Sequence, residues 1–242
     1  MMRFTQGRVS NVNGVNMIQK SPEETNMIAK RDIRAQMAAG MAMAVGMVFL
    51  AAPAQAADKT AAELDAEAVA IIKRDFRDKG IAKVERLNQD EVQALCTRYL
   101  DNPPRKDQER LQAEQEKAIK WPADGKYMGD WKAGEKLAQS GSGMTWSDKP
   151  EAPSGGNCYN CHQLSAKEIA YGTIGPSLLH FGKTRGNSAN IQRYAYGRIY
   201  NEKAYNLCAN MPRFGHMGIL TEAQIKDLVA LLLDPESPVN KE

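Results

Sequence analysis

Apolar residues recur every three or four positions in several parts of the chain, which is the spacing of one face of an α-helix. Two such stripes lie between residues 60 and 100, and Asn88 is a candidate cap for the second. A short helical pattern follows at 129–139, and residues 140–157 are rich in Gly, Ser and Pro, as in a loop. The two stripes consist of Ala61, Leu64, Ala68, Ile71, Ile72, Val92, Leu95 and Tyr99. These patterns predict an all-α protein.

Residues 105–120 form a strongly charged segment, and Asn102, Pro103 and Pro104 separate it from the stripes that precede it. Few of its positions are apolar, so we expect a helix that packs along one narrow face and otherwise contacts water. The simpler interpretation is a surface segment with no packing role.

The clearest helical pattern lies near the C-terminus. Thr221 and Gln224 have the spacing of a capping box, and Pro235 is expected to end the helix. The apolar stripe between these signals consists of Ile225, Leu228, Val229 and Leu232. We expect this stripe to face the core.

The N-terminal region contains an apolar run at residues 37–52, preceded by Lys30, Arg31 and Arg34 and followed by Ala-Gln-Ala. This order of charged, apolar and small residues is that of a secretory signal peptide. A membrane anchor is the alternative, but the run is shorter than the ~20 apolar residues needed to span a bilayer. We therefore expect residues 1–56 to be removed on export.

Removal of this leader changes the charge of the chain. The leader holds six of the 32 Lys and Arg residues and three of the 29 Asp and Glu residues, so 26 of each sign are left. A net charge of zero argues against a nucleic-acid-binding protein. The mature protein is expected to be soluble in an oxidising compartment, where disulfides form.

Cys158, Cys161 and His162 form a Cys-x-x-Cys-His sequence, the spacing used for covalent haem attachment. Two thiols on one helical turn reach the two vinyl groups of one porphyrin, while the next residue presents an imidazole to the iron. The alternatives are a zinc half-site, which needs a second ligand pair, and a thioredoxin-like redox pair, which needs a βαβ context. The sequence shows neither context, so we predict one covalent haem c.

The iron of such a haem needs a sixth ligand or an open site. Met211 is the favoured candidate because the proline after it stiffens the loop, and because one helical segment still follows it. Met217 is the second candidate, and His180 or His216 would give bis-histidine ligation and a lower potential. The usual interpretation of an isolated methionine is core packing.

The other nitrogen of His162 needs a hydrogen-bond acceptor, because that contact orients the ring and tunes its basicity. Pro176 follows Gly175 and lies fourteen residues after His162, and its backbone carbonyl is a candidate for this acceptor. The simpler interpretation of a Gly-Pro pair is a turn.

Cys96 and Cys208 are the two cysteines left after haem attachment. In an oxidising compartment we expect them to pair, which would restrain the loop that carries Met211. The alternatives are two separate buried thiols, or a bond from one of them to a partner chain.

Four motifs resemble those of class I cytochromes c. They are Gly-Asp-Trp-Lys-Ala-Gly-Glu-Lys-Leu at 129–137, the haem attachment sequence, Gly-Pro-Ser-Leu at 175–178 and Asn-Met-Pro-Arg-Phe-Gly at 210–215. The resemblance implies a class I cytochrome c fold with His162 and Met211 as the axial iron ligands.

A narrower resemblance is to SoxX, the monohaem cytochrome subunit of the SoxAX sulfur-oxidation complex. It rests on Met-Pro-Arg-Phe-Gly at 211–215, Gly-Ile-Leu-Thr at 218–221 and the ending Leu-Asp-Pro-Glu-Ser-Pro-Val-Asn at 233–240. The charged segment before these motifs is similar to the extension of one SoxX type. The resulting division is a helical N-terminal extension at 57–128 and a haem domain at 129–242.

The SoxX resemblance implies a periplasmic heterodimer with SoxA. That complex is an L-cysteine S-thiosulfotransferase, which oxidatively couples thiosulfate to a cysteine of the carrier protein SoxYZ. In the family the sulfur chemistry takes place at the SoxA haem, and SoxX passes the electrons to a downstream cytochrome. We therefore expect a relay with no catalytic residue of its own, and with no membrane contact after signal cleavage.

Two other functional classes are compatible with the haem sequence. A freestanding shuttle to a terminal oxidase needs little beyond the haem-wrapping core, so the long N-terminal extension favours a subunit with additional surface. A haem peroxidase or sensor needs an open or exchangeable sixth position, which Met211 argues against.

Overall fold

The structure of the protein is a computed structural model that describes residues 59–241. The predicted signal peptide at 1–56 lies outside the described residues. Among those that are described, no helix is both long and apolar enough to cross a membrane.

Seven α-helices and three 3₁₀ turns make up the regular structure of the described residues. The helices are α1 (Ala61–Asp75), α2 (Glu91–Arg98), α3 (Arg105–Lys117), α4 (Trp131–Gln139), α5 (Phe181–Arg185), α6 (Ala189–Tyr200) and α7 (Glu222–Leu233). The 3₁₀ turns are Val84–Leu87, Cys158–Asn160 and Glu202–Ala204. No β-sheet occurs within residues 59–241, and the prediction of an all-α fold is confirmed.

Local capping decides where α2 and α7 begin. The capping box expected at Thr221 is confirmed, since its hydroxyl accepts from the N–H of Gln224 and the Gln224 side chain accepts from the N–H of Thr221. The expectation for α2 was wrong, because Asp90 caps it instead of Asn88. The carboxylate of Asp90 accepts from the N–H of Gln93 at 2.9 Å, and the Gln93 side chain bonds back to the N–H of Asp90.

Helices α4 and α7 cross in the centre of the core. A Cβ at Gly134 would collide with the backbone oxygen of Asp227, so only glycine permits this approach. The N–H of Gly129 donates to the Lys226 oxygen at 3.0 Å, and the N–H of Asp130 to the Asp227 carboxylate at 2.8 Å. The buried residues of α7 are Ile225, Leu228, Val229, Ala230, Leu231, Leu232 and Leu233. The predicted stripe therefore faces the core, within a helix whose second half is buried on all sides.

Helices α5 and α6 are not among those that the hydrophobic pattern predicts. Helix α6 begins after Ser188, whose hydroxyl accepts from the N–H of Ile191. Its buried Tyr196 packs on Trp121 and Tyr127, with ring centroids 5.9 and 5.5 Å away. This aromatic cluster connects α6 to the segment between α3 and α4.

Helices α2 and α3 form a second apolar cluster. Val92 of α2 and Leu111 of α3 are buried around Leu207, which lies shortly before Met211 in the chain. Helix α1, in contrast, has no buried residue. The described residues form one compact unit, and the domain boundary after residue 128 stays a prediction.

Candidate haem site

The Cys-x-x-Cys-His sequence lies on a single tight turn. The N–H groups of Cys161 and His162 both donate to the carbonyl of Cys158, at 3.1 and 2.9 Å. Neither thiol is bonded to another cysteine. The turn therefore presents two free sulfur atoms and one imidazole within five residues of chain.

The ring of His162 is held on one side by the backbone of the Gly-Pro pair. Its Nδ1 lies 2.7 Å from the carbonyl oxygen of Pro176, to which it donates a hydrogen bond, so Nε2 is left for a metal. The N–H of Gly175 donates to the Cys161 oxygen at 2.8 Å, and a Cβ on Gly175 would collide with the imidazole. Glycine is required at this position because the backbone lies directly against the ring.

His162 and Met211 line the same pocket. Cys158 is also part of the lining, so one attachment thiol and both candidate axial ligands converge there. The rest of the lining is apolar and consists of Leu164, Leu178, Ile199, Phe214, Leu228, Leu231 and Leu232. Such a lining suits the apolar faces of a porphyrin, while the imidazole and the thioether supply the two ligand types of a His/Met haem. The residues present therefore fit haem c.

The apolar surroundings affect the chemistry of the attachment site. Removal of water from around the sulfur raises the pKa of the Cys158 thiol to about 12. The unattached thiol is therefore neutral and behaves as a small apolar group, which is compatible with its place in the lining.

The other three candidate ligands lie elsewhere. Met217 is 59% exposed, and neither it nor the two histidines is part of the pocket lining. Two effects lower the pKa of His216: the larger is partial burial, and the smaller is the positive charge of the nearby Arg213. His180 caps the start of α5 with a φ of 59°, and its buried Nδ1 has no hydrogen-bond partner among the described residues. Met211 alone among the four candidates faces the same pocket as His162.

The remaining two cysteines meet in the structure. Cys96 of α2 and Cys208 form a disulfide with an S–S distance of 2.04 Å, across a sequence separation of 112 residues. Cys208 lies three residues before Met211, so the disulfide joins α2 to the beginning of the methionine loop.

Two buried cations that are not expected from the sequence lie beside this loop. Arg213 is 6% exposed and donates to the side chains of Asp90 and Gln115. Lys203 is 7% exposed and donates to two backbone carbonyls on either side of Cys208. Burial lowers the pKa of Lys203, and the positive charge of Arg213 lowers it further. Arg213 belongs to a motif visible in the sequence, but its partners lie about 100 residues away along the chain.

The comparisons with known proteins agree with this geometry. An uncharacterized lipoprotein of Aquifex aeolicus (strain VF5) is 39% identical over 155 residues, which are 63% of this chain and 73% of that protein. Residues 132–234, which include the attachment sequence and Met211, match the family described as cytochrome c. A cytochrome c domain implies covalently bound haem c. The C-terminal region of this chain therefore carries a domain of the cytochrome c family.

Proposed function

We propose that the protein is an electron-transfer cytochrome with haem c attached at Cys158 and Cys161 and its iron held by His162 and Met211. The observation that carries this proposal is the convergence of imidazole, thioether and attachment thiol on one apolar pocket. Haem c, when bound, supplies a one-electron couple between ferric and ferrous iron.

The chain's own residues would set the properties of that couple. The hydrogen bond to the Pro176 carbonyl fixes the tautomer of His162 and raises the basicity of the nitrogen that faces the iron. A thioether ligand such as Met211 favours the ferrous state and so raises the potential. The apolar lining limits the access of water to the pocket.

The first test concerns covalent attachment. We expect the protein to keep its haem stain on a denaturing gel, because thioether bonds survive unfolding. A Cys158→Ala/Cys161→Ala variant should lose the stain. The matched control is Cys96→Ser/Cys208→Ser, which also removes two cysteines but should keep it. Loss of the stain in the control alone would contradict the assignment of the attachment cysteines.

We further propose that this cytochrome is the SoxX-like subunit of a SoxAX complex. The motifs at 211–215 and 233–240 support this assignment by their resemblance to SoxX. The second motif is an integral part of the fold, since Asn240 is buried and its side chain bonds to the carbonyls of Leu232 and Asp234. SoxA is then the heterodimer partner and bears the catalytic residues, while SoxYZ is the substrate carrier and a downstream cytochrome accepts the electrons.

We place the mature protein in the periplasm. The leader-like sequence at 1–56 supports export, and so does the pair formed by Cys96 and Cys208, because disulfides persist in oxidising compartments. The Aquifex relative described as a lipoprotein points in the same direction.

The test of the partner assignment uses the protein co-purified from periplasm. With SoxA present, haem reduction followed by visible absorbance should require both thiosulfate and SoxYZ, because the electrons are released only when the sulfur–sulfur bond to the carrier forms. Reduction by thiosulfate alone would argue for a different enzyme. Purification without any partner would favour a freestanding shuttle to a terminal oxidase.

A further inference from the structure

The segment from Leu207 to Arg213 carries Met211 and is anchored near its beginning by three contacts. Leu207 is buried in the apolar cluster of α2 and α3, and the next residue, Cys208, forms the disulfide with α2. The ammonium of Lys203 donates to the oxygens of Leu207 and Ala209, at 3.0 and 3.3 Å. These contacts lie two to four residues before the methionine.

The far end of the segment is anchored by Arg213, two residues after the methionine. One guanidinium nitrogen donates to the carboxylate of Asp90 at the start of α2, and the other to the side-chain oxygen of Gln115 in α3. Gln115 is itself held, since the fully buried amide of Asn201 donates to its side-chain and backbone oxygens at 3.1 and 3.0 Å. Arg213 thus connects the methionine segment to two helices of the N-terminal extension.

Met211 lies between two cavities. On one side is the apolar pocket that it shares with His162, and on the other is a cavity of about 320 Å³ between α2 and the methionine segment. Close packing restrains a side chain only where atoms surround it. Because the second cavity is large, the position of Met211 depends on how both ends of its segment are anchored.

We propose that Arg213 is a positioning residue for the axial methionine, and that α2 and α3 act through it as part of the haem site. The inference rests on the proposed function, in which Met211 is an iron ligand. The bridge from Asp90 through Arg213 holds Met211 against the haem pocket and out of the second cavity.

Asp90→Asn is the sharpest variant, because it weakens the bridge without touching the haem pocket. Asparagine is as good an N-cap as aspartate, so α2 keeps its first turn, while the charge that pairs with Arg213 is lost. The matched control is Glu91→Gln, which also removes one carboxylate at the start of α2. Glu91 pairs with Arg110 of α3 at 2.7 Å on the exposed surface, away from the methionine segment.

The readout is the affinity of the ferric protein for imidazole, which binds iron only after the methionine has left it. We expect the imidazole affinity of Asp90→Asn to be at least about fivefold higher than that of wild type. A fivefold change is the lower end of the coupling found between two linked sites. Glu91→Gln should stay within about twofold of wild type, as expected for an exposed ion pair. Gln115→Met, which removes the second anchor of Arg213, should change the affinity in the same direction as Asp90→Asn.

Thermal unfolding of each variant, measured by circular dichroism, distinguishes a general loss of stability from a specific change in how Met211 is positioned. Equal imidazole affinity in Asp90→Asn, Gln115→Met and Glu91→Gln would overturn the proposal, whatever their unfolding temperatures. The proposed function fails differently: wild-type ferric protein would then lack the near-infrared charge-transfer band of sulfur-ligated haem, and Met211→Leu would leave the spectrum unchanged.

Discussion

The imidazole of His162 is confined between a carbonyl and a glycine. Pro176 accepts its Nδ1–H at 2.7 Å, and Gly175 lies against the ring face so closely that a Cβ has no room. These two contacts leave the ring one orientation. At the scale of single residues, the candidate site is therefore defined by backbone groups as much as by side chains.

Gly175→Ala is expected to displace the His162 ring. The added methyl group collides with the imidazole, and overpacking of this kind costs about 1–3 kcal/mol. Denaturant unfolding should show the loss of stability, and the reduction potential should shift as the hydrogen bond to Pro176 lengthens. Gly125→Ala is the control: φ is +65° there and the space around it is open, so it should cost stability while leaving the potential unchanged.

Met211→Leu is expected to abolish the near-infrared charge-transfer band of the ferric protein, because leucine fills the same space without a sulfur ligand. The matched variant is Met217→Leu, which makes the same substitution at an exposed side chain that lies outside the pocket. Absorbance spectroscopy of both purified proteins decides the assignment. If Met217→Leu loses the band and Met211→Leu keeps it, the ligand is Met217.

At the scale of helices, the crossing of α4 and α7 forms one wall of the pocket. Leu228, Leu231 and Leu232 of α7 line the pocket, and Gly134 sets how closely α4 approaches behind them. The position of the pocket-lining leucines thus depends on a residue that does not itself line the pocket.

Gly134→Ala is expected to destabilise the protein by about 1–2 kcal/mol. Alanine in a helix interior is favoured over glycine by about 0.5–1 kcal/mol, but overpacking against the backbone of α7 costs about 1–3 kcal/mol, so the collision outweighs the propensity. Chemical denaturation followed by circular dichroism measures the difference. Lys136→Ala, on the exposed side of α4, serves as the control and should change stability little; a stabilised Gly134→Ala would mean that the helices separate freely.

At the scale of the whole molecule, the N-terminal helices and the methionine loop are joined covalently. The disulfide between Cys96 and Cys208 spans 112 residues and lies beside the buried Arg213 and Lys203. The extension is therefore connected to the methionine loop by a disulfide bond, by the buried Arg213 and by a small apolar cluster.

Loss of the disulfide is expected to lower the free energy of unfolding by up to about 4–5 kcal/mol, the chain-entropy value for a loop of about 100 residues. Native-state strain or residual structure in the unfolded chain reduces this figure. Peptide mapping of unreduced protein should recover Cys96 and Cys208 in one linked peptide. Denaturation of Cys96→Ser/Cys208→Ser gives the energetic cost, and recovery of both residues of the wild type as free thiols would contradict the pairing.

How much of the structure can be predicted from the sequence depends on how far apart the interacting residues lie along the chain. The capping box at Thr221 was predicted correctly because its partners are three residues apart. Asn88 and Asp90 are both polar residues just before the apolar stripe of α2, so the sequence offers a cap signal at each. Only the reciprocal hydrogen bonds between Asp90 and Gln93 show that Asp90 is the cap. Helix α6 was missed because aromatic residues and Gly197 lower its helix propensity, and packing on Trp121 compensates.

The sequence by itself determined the features that arise within a few residues: the Cys-x-x-Cys-His turn, the carbonyl candidate at Pro176, the terminal helix and the all-α class. These follow from covalent spacing, backbone restriction and hydrophobic period, which are local. Only the tertiary structure decided that Met211, and neither Met217 nor the histidines, shares the pocket of His162. It likewise decided that Arg213 meets Asp90 across 123 residues, because such contacts depend on how the helices pack and leave no periodic signal in the chain.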